Sequence, residues 1–165
     1  MENHAIKNLY DLVSDFDVAM LVTHSGAKLH ARPMTVARLD QEMHTVYLVT
    51  DINSIKVDEI NTNPYVLLTF QGPRKFASVS GELTVVLDRT LIDDMWKEAW
   101  TIWFPKGKSD PSIALLKLTS YEGEFWDNAG VQGMKFIYSA VKALVAGDTP
   151  KIDSDQHNKI NLFKE

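Results

Sequence analysis

The sequence predicts a mainly β fold: six or seven antiparallel strands with flanking helices, curled into a small closed or split barrel. Three observations predict it. Short apolar or alternating runs recur along the chain, punctuated by turn residues. They show no regular alternation with helices, which argues against parallel βαβ units. Bend signals within the strands, in a chain of 165 residues, favour a barrel over a two-sheet sandwich with its own helices.

The elements follow in order. Ile6, Leu9, Tyr10 and Val13 recur at helical spacing, so the first fifteen or so residues read as an amphipathic helix. Val18 to Thr23 is an apolar strand, and Ser25-Gly26-Ala27-Lys28 is a hairpin turn into the next. Leu29 to Leu39 suits a strand in which Pro33, having no N–H, must lie at an edge or bulge. Period two places Arg32, Met34, Val36 and Arg38 on one face and Ala31, Thr35 and Ala37 on the other. His44 to Thr50 is a third strand and Ser54 to Asn61 a short helix. Tyr65 to Gln71 is a fourth strand, and Phe76 to Val86 a long fifth with Gly81 marking a bend.

Asp88 caps a helix expected to run to Trp100, with Leu91, Ile92, Met95, Trp96 and Ala99 on its apolar face. Ala114–Ser120 and Glu122–Asp127 form a strand pair or one long bent strand, and Met134 to Ala146 is helical. Residues 1–165 are read as one domain, with 147–165 a loosely held tail.

Composition narrows the function classes. Apolar residues make up 45% and charged residues 24%, as in ordinary globular proteins. No run matches a membrane span or a signal-peptide core, so a cytoplasmic protein with no membrane association is expected. The absence of cysteine excludes disulfides, thiolate metal sites and cysteine nucleophiles. The net charge of −5, with scattered basic residues, argues against nucleic-acid binding. The five histidines lack ligand spacing, so no metal is expected. Asp93-Asp94 and Asp58-Glu59 read as solvated helix faces, and hydrolase and dinucleotide motifs are absent.

One stretch carries chemistry. Tyr47-Leu48-Val49 ends at Thr50, a polar corner follows, and Ser54 precedes a helix with Lys56 in its first turn and Val57 and Ile60 on its buried side. A strand that stops where a helix starts gathers unpaired N–H groups and a positive dipole end. Ser54, Lys56 and a guanidinium from the neighbouring strand, where Arg32 stands, would complete an anion site suited to a phosphate monoester. The bland reading is that Ser54 is only a helix cap and that Lys56 and Arg32 are surface charges.

The ordered set Arg32-Pro33-Met34-Thr35-Val36-Ala37, Thr50-x3-Ser54-x-Lys56, Ser78-Val79-Ser80-Gly81, Trp103-Phe104-Pro105-Lys106-Gly107 leading to Asp110-Pro111, and Glu124-Phe125-Trp126-Asp127 resembles the pyridoxamine-phosphate-oxidase-like split-barrel flavoproteins, in their general stress protein 26-like branch. The resemblance implies a homodimer with FMN at each end of the subunit interface. The strand from Arg32 would lie along the isoalloxazine, with Met34 to Val36 offering backbone groups, and Thr50, Ser54, Lys56 and Arg32 would hold the ribityl phosphate. The full implied cofactor set is Arg32, Pro33, Met34, Thr35, Val36, Val49, Thr50, Ser54, Lys56, Phe76, Ser78 and Trp103.

Departures qualify it. Ile55 stands where the oxidases carry a basic residue, and Phe76 where they place a glutamine against the flavin. Their arginine- and histidine-bearing C-terminal segment is replaced by Ile160-Asn161-Leu162-Phe163-Lys164-Glu165. The expectation is an FMN-dependent oxidoreductase with small-molecule electron donor and acceptor, and not a true pyridoxamine phosphate oxidase. The alternative is a flavin-binding stress carrier or sensor without turnover. Trp103 and Trp126 either pack a dimer partner or cover the flavin.

Overall fold

A computed structural model describes residues 2–147, 149, 152–153 and 155–162. Its strands are β1 (Val18–Ser25), β2 (Lys28–Asp40), β3 (Thr45–Asp51), β4 (Tyr65–Gln71), β5 (Lys75–Val86), β6 (Ile113–Asp127) and β7 (His157–Asn161). The helices are α1 (Glu2–Val13), α2 (Ile55–Thr62), α3 (Arg89–Met95) and α4 (Gly130–Ala146). The order β3-β2-β1-β4-β5-β6 closes through a β3–β6 pairing, giving a six-stranded antiparallel barrel with β7 added on β6. Closure leaves fewer bare edges for other chains to pair with.

The long strand β6 makes this possible. Its first half, Ile113–Thr119, closes the barrel on β3, and Glu122–Trp126 pairs with β7. It is one strand, bent where the register with β5 passes from Ser80↔Glu122 to Gly81↔Ser120 and leaves Tyr121 as an extra residue. A Cβ on Gly81 would meet the Thr119 carbonyl oxygen at 2.3 Å, so the glycine expected to mark a bend allows this close approach.

Two apolar clusters lie on opposite faces of β3 and β6. Leu21, Leu48, Leu68, Phe70, Val79, Leu118 and Phe125 fill the barrel, and Leu9 and Val13 of α1 pack into it. Val49, Ile113 and Leu115 point the other way, under Ile92, Met95, Trp100 and Phe104. Residues 113–116 are therefore buried without interruption, as in a strand covered on both sides.

The structure departs from the sequence reading in four places. A bulge between Val36↔Leu48 and Arg38↔Tyr47 interrupts the period of β2. Beyond it Leu39 turns to the core, while Arg38 turns out to an ion pair with Asp94 at 2.5 Å. The helix capped by Asp88, whose side chain accepts from the Leu91 N–H, ends at Met95. The chain resumes as a 3-10 turn over Glu98–Ile102, which drives Trp100 into the second cluster edge-on to Trp96 at 5.7 Å. Trp96 itself is only half-buried. Helix α4 starts at Gly130, earlier than expected. Finally, part of the segment expected to be a loose tail is packed: β7 pairs with β6, and Ile160 and Leu162 are buried against the core, while residues 148, 150–151, 154 and 163–165 lie outside the described residues. Five polar-rich residues gave this strand no readable alternation of their own. Among the described residues, no helix is long and apolar enough to cross a membrane.

Candidate functional site

The corner between β3 and α2 is built from local bonds. The Asp51 carboxylate accepts from the Asn53 N–H at 2.8 Å, forming a tight polar turn, and the Ser54 N–H reaches the Asp51 carbonyl at 3.1 Å. Ser54 takes the N-cap position with extended backbone, but its hydroxyl does not cap the helix. It lies 3.3 Å from the Thr50 hydroxyl oxygen, and Lys56 Nζ donates to that same Thr50 oxygen at 3.2 Å. Two residues singled out from the sequence thus converge on a third, the buried Thr50.

The Lys56 ammonium is half-buried, and its pKa is lowered, first by desolvation and then by the positive charge of Arg32, against the opposing pull of Asp51 and Glu59. Among the described residues no carboxylate lies within 4.0 Å of it. A partly desolvated cation without an ion-pair partner is suited to an incoming anion.

Lys56 lies at one side of a cleft of about 370 Å³, a size typical of small-molecule pockets. Pro33, Met34 and Thr35 of β2, Val49, Thr50 and Asp51 of β3, Val18 of β1, and Trp103 and Phe104 from the loop after α3 complete its lining. The β2 portion is a free edge, because β3 pairs with β2 only over Val36–Asp40. The Val36 N–H turns toward β1, bonding the Asp17 carbonyl at 2.9 Å. Antiparallel alternation then directs the N–H and C=O of Thr35 and the C=O of Pro33 to the unpaired side, where the missing N–H of Pro33 leaves no broken ladder bond. A planar heterocycle with donor and acceptor edges could pair with this strand.

Of the twelve residues singled out from the sequence, Pro33, Met34, Thr35, Val49, Thr50, Lys56 and Trp103 line this cleft. Ser54 adjoins it through Thr50. Val36 is buried beneath, its N–H engaged as above. Arg32 lies behind Lys56: its Nη2 bonds Glu59 Oε2 at 2.8 Å and its Nη1 bonds the Thr23 hydroxyl. Phe76 and Ser78 stand apart, on the outward face of β5, with β1 and β4 between them and β2. Within one chain they do not line the cleft.

Sequence reasoning missed Val18, Asp51 and Phe104 in the lining, and it read Glu59 wrongly. Glu59 is not on a solvated face. It is buried, and its carboxylate accepts from Thr23 Oγ1 at 2.6 Å, from Arg32, and from His30 Nδ1 at 2.6 Å. The Thr23 hydrogen bond above all, with those of His30 and Arg32, holds its pKa below the ordinary carboxylate value despite burial. Its spacing of three from Lys56 was the available signal, since both then lie on neighbouring turns of one helix face.

Comparison with known proteins agrees with this architecture. The family model described as pyridoxamine 5'-phosphate oxidase like matches residues 4–151. A structure from Jannaschia, described as a general stress protein 26, superposes with a TM-score of 0.76 at 22% identity, covering 97% of this chain and 99% of that one. The general stress FMN/FAD binding protein of Xanthomonas citri gives 0.67 at 24% identity, covering 78% and 92%. A pyridoxamine 5'-phosphate oxidase-related, FMN binding protein of Nostoc punctiforme gives 0.56 at 14%, covering 98% and 94%. No curated protein matches the sequence.

Proposed function

The chain belongs to the pyridoxamine 5'-phosphate oxidase-like family, and on that premise we propose that it is a cytoplasmic FMN-binding oxidoreductase whose cofactor occupies the cleft between β2, β3 and α2. The observation that carries this reading is the half-buried Lys56 ammonium, held on Thr50 with no carboxylate partner among the described residues, beside the free edge of β2. Thr50, Ser54 and Lys56 fit a phosphate monoester, and the compact corner favours a cofactor with one phosphate. Pro33 and Thr35 offer backbone groups to the ring edge, and the exposed Trp103 indole at the rim is placed to cover it. When bound, a flavin supplies reversible electron and hydride transfer. The chain's own residues anchor, orient and cover it.

The family premise and one surface feature support a homodimer. Val131, Met134, Ile137, Tyr138, Val141, Leu144 and Val145 of α4 are each 56–85% exposed. Their spacing puts them along one side of the helix, and a contiguous exposed apolar face of this kind marks an interaction surface. A second copy of the chain is the occupant proposed for this face.

The test is the visible absorbance of the purified protein, followed by titration with FMN and riboflavin and by anaerobic addition of NADH or NADPH. Binding of FMN near one per chain, with bleaching by a nicotinamide, supports the oxidoreductase. Binding without reduction by any donor favours the carrier or sensor, and failure to bind FMN removes the reading.

A further inference from the structure

Behind the cleft lies a set of bonds that flavin binding alone does not require. Glu59 is one of two carboxylate side chains found buried among the described residues, the other being Asp110. A buried carboxylate is costly unless its oxygens are satisfied, and here they are divided. His30 bonds Oε1, while Thr23 and Arg32 bond Oε2. An ionised carboxylate only accepts, so His30 Nδ1 donates. Thr23 closes the set, donating to Glu59 and accepting from Arg32 Nη1.

The result is a guanidinium fixed at two of its nitrogens. Arginine carries five N–H donors, and the two bonds to Thr23 and Glu59 leave three. Arg32 lies close enough to Lys56 for its charge to depress the lysine's pKa. Two neighbouring cations repel each other, and Glu59 offsets that repulsion from one helical turn beyond Lys56. Arg32 is the cation bonded to Glu59, and Lys56 makes no ion pair with it within 4.0 Å. Here the second cation faces the cleft.

We propose that Glu59 and Thr23 are positioning residues for the phosphate end of the cleft, holding the Arg32 guanidinium behind Lys56 so that its charge adds to that of Lys56 where the phosphate binds. This rests on the reading of the cleft as an FMN site. It also accounts for Arg32 standing behind the cleft wall: the side chain is pre-set, and little rotamer entropy remains to be lost when the anion arrives.

The decisive variant is Thr23→Val, which removes one restraint on Arg32 at unchanged charge and nearly unchanged shape. Glu59→Gln is the second variant, and dissociation constants for FMN and riboflavin are read by flavin fluorescence. Each variant is expected to weaken FMN about tenfold and to leave riboflavin, which lacks the phosphate, within about twofold. In an Arg32→Met background the further loss from Thr23→Val should vanish. Unchanged or tighter FMN binding in Thr23→Val, or equal losses for FMN and riboflavin, overturns the proposal. If Lys56→Met leaves the wild-type preference for FMN over riboflavin intact, or no such preference exists, the phosphate reading itself fails and the positioning role falls with it.

Discussion

Lys56 Nζ and Thr50 Oγ1 lie 3.2 Å apart, joining the first turn of α2 to the last residues of β3 across the corner where the two meet. Because desolvation and Arg32 both disfavour the charged amine, this pair is stabilised when an anion arrives. In the protein without FMN, the lowered pKa of Lys56 means that the unfolded chain holds more protons than the native one just below the ordinary lysine value of 10.5. Stability contributed by this group therefore rises as pH increases through that window. Comparing urea midpoints of wild type and Lys56→Met across alkaline pH should show the rise only in wild type. Saturating FMN should abolish it, because a bound phosphate favours the ammonium. Parallel curves for the two proteins would contradict the shift.

At the acid end, Glu59 has a linkage of the same sign but from a different cause, since here it is the charged form that the fold favours. Its pKa lies below the ordinary 4.5, so its contribution is complete above that value and is lost as pH falls through the lower folded value. Glu59→Gln should be less stable than wild type at neutral pH, and the difference should close in strong acid. A gap that persists at the lowest pH measured would mean that the charge of Glu59 is not what the fold uses.

Trp100 and Trp103 are neighbours in one turn with opposite expected effects. Trp100 is fully buried in the cluster outside the barrel, so Trp100→Ala should cost about 3–5 kcal/mol in denaturant unfolding. Trp103 is 58% exposed at the cleft rim, so Trp103→Ala should cost under about 1 kcal/mol of stability while speeding FMN release. Stopped-flow release rates and chemical denaturation, run on both variants, separate the two roles.

At the bend of β5, Gly81→Ala would push a methyl group against the Thr119 carbonyl and the Leu118 side chain. It should destabilise the barrel by several kcal/mol, on the order of the largest single-site effects. Gly26→Ala in the open hairpin turn meets no neighbour and should cost only the strain of its φ of +60°. Equal thermal midpoints for the two variants would show that the bulge can shift.

For α4, Val141→Glu combined with Leu144→Glu should convert a dimer to a monomer by light scattering, with the far-ultraviolet circular dichroism kept. A wild type that is monomeric at high concentration would remove the second copy as occupant. Binding of wild type, but not the variant, to lipid vesicles would assign the face to a membrane surface instead.

What the sequence determined by itself is local. Apolar periodicity marked the strands of the barrel, Ser25 to Lys28 the hairpin, Gly81 the bend, and Thr50 to Lys56 the polar corner, because each depends on residues within a few positions of one another. Pro33 was readable as an edge residue for the same reason: the missing N–H is a property of the residue alone.

The tertiary structure decided what depends on distant partners. The bulge after Val36 carries no glycine to announce it and is set by the register with β3. The helix beginning at Arg89 stops at Met95, where Trp100 can reach a cluster seated on Val49, Ile113 and Leu115 of β3 and β6. Residues 157–161 form a strand only because the second half of β6 offers them a free edge. Glu59 shows the limit most plainly. Its neighbours in sequence suggest a solvated helix, yet Thr23, 36 positions away, and Arg32, 27 positions away, make it a buried anion at the back of the cleft. Helical spacing says which residues share a face; only packing decides what that face meets, and whether a charge there is solvated or bound.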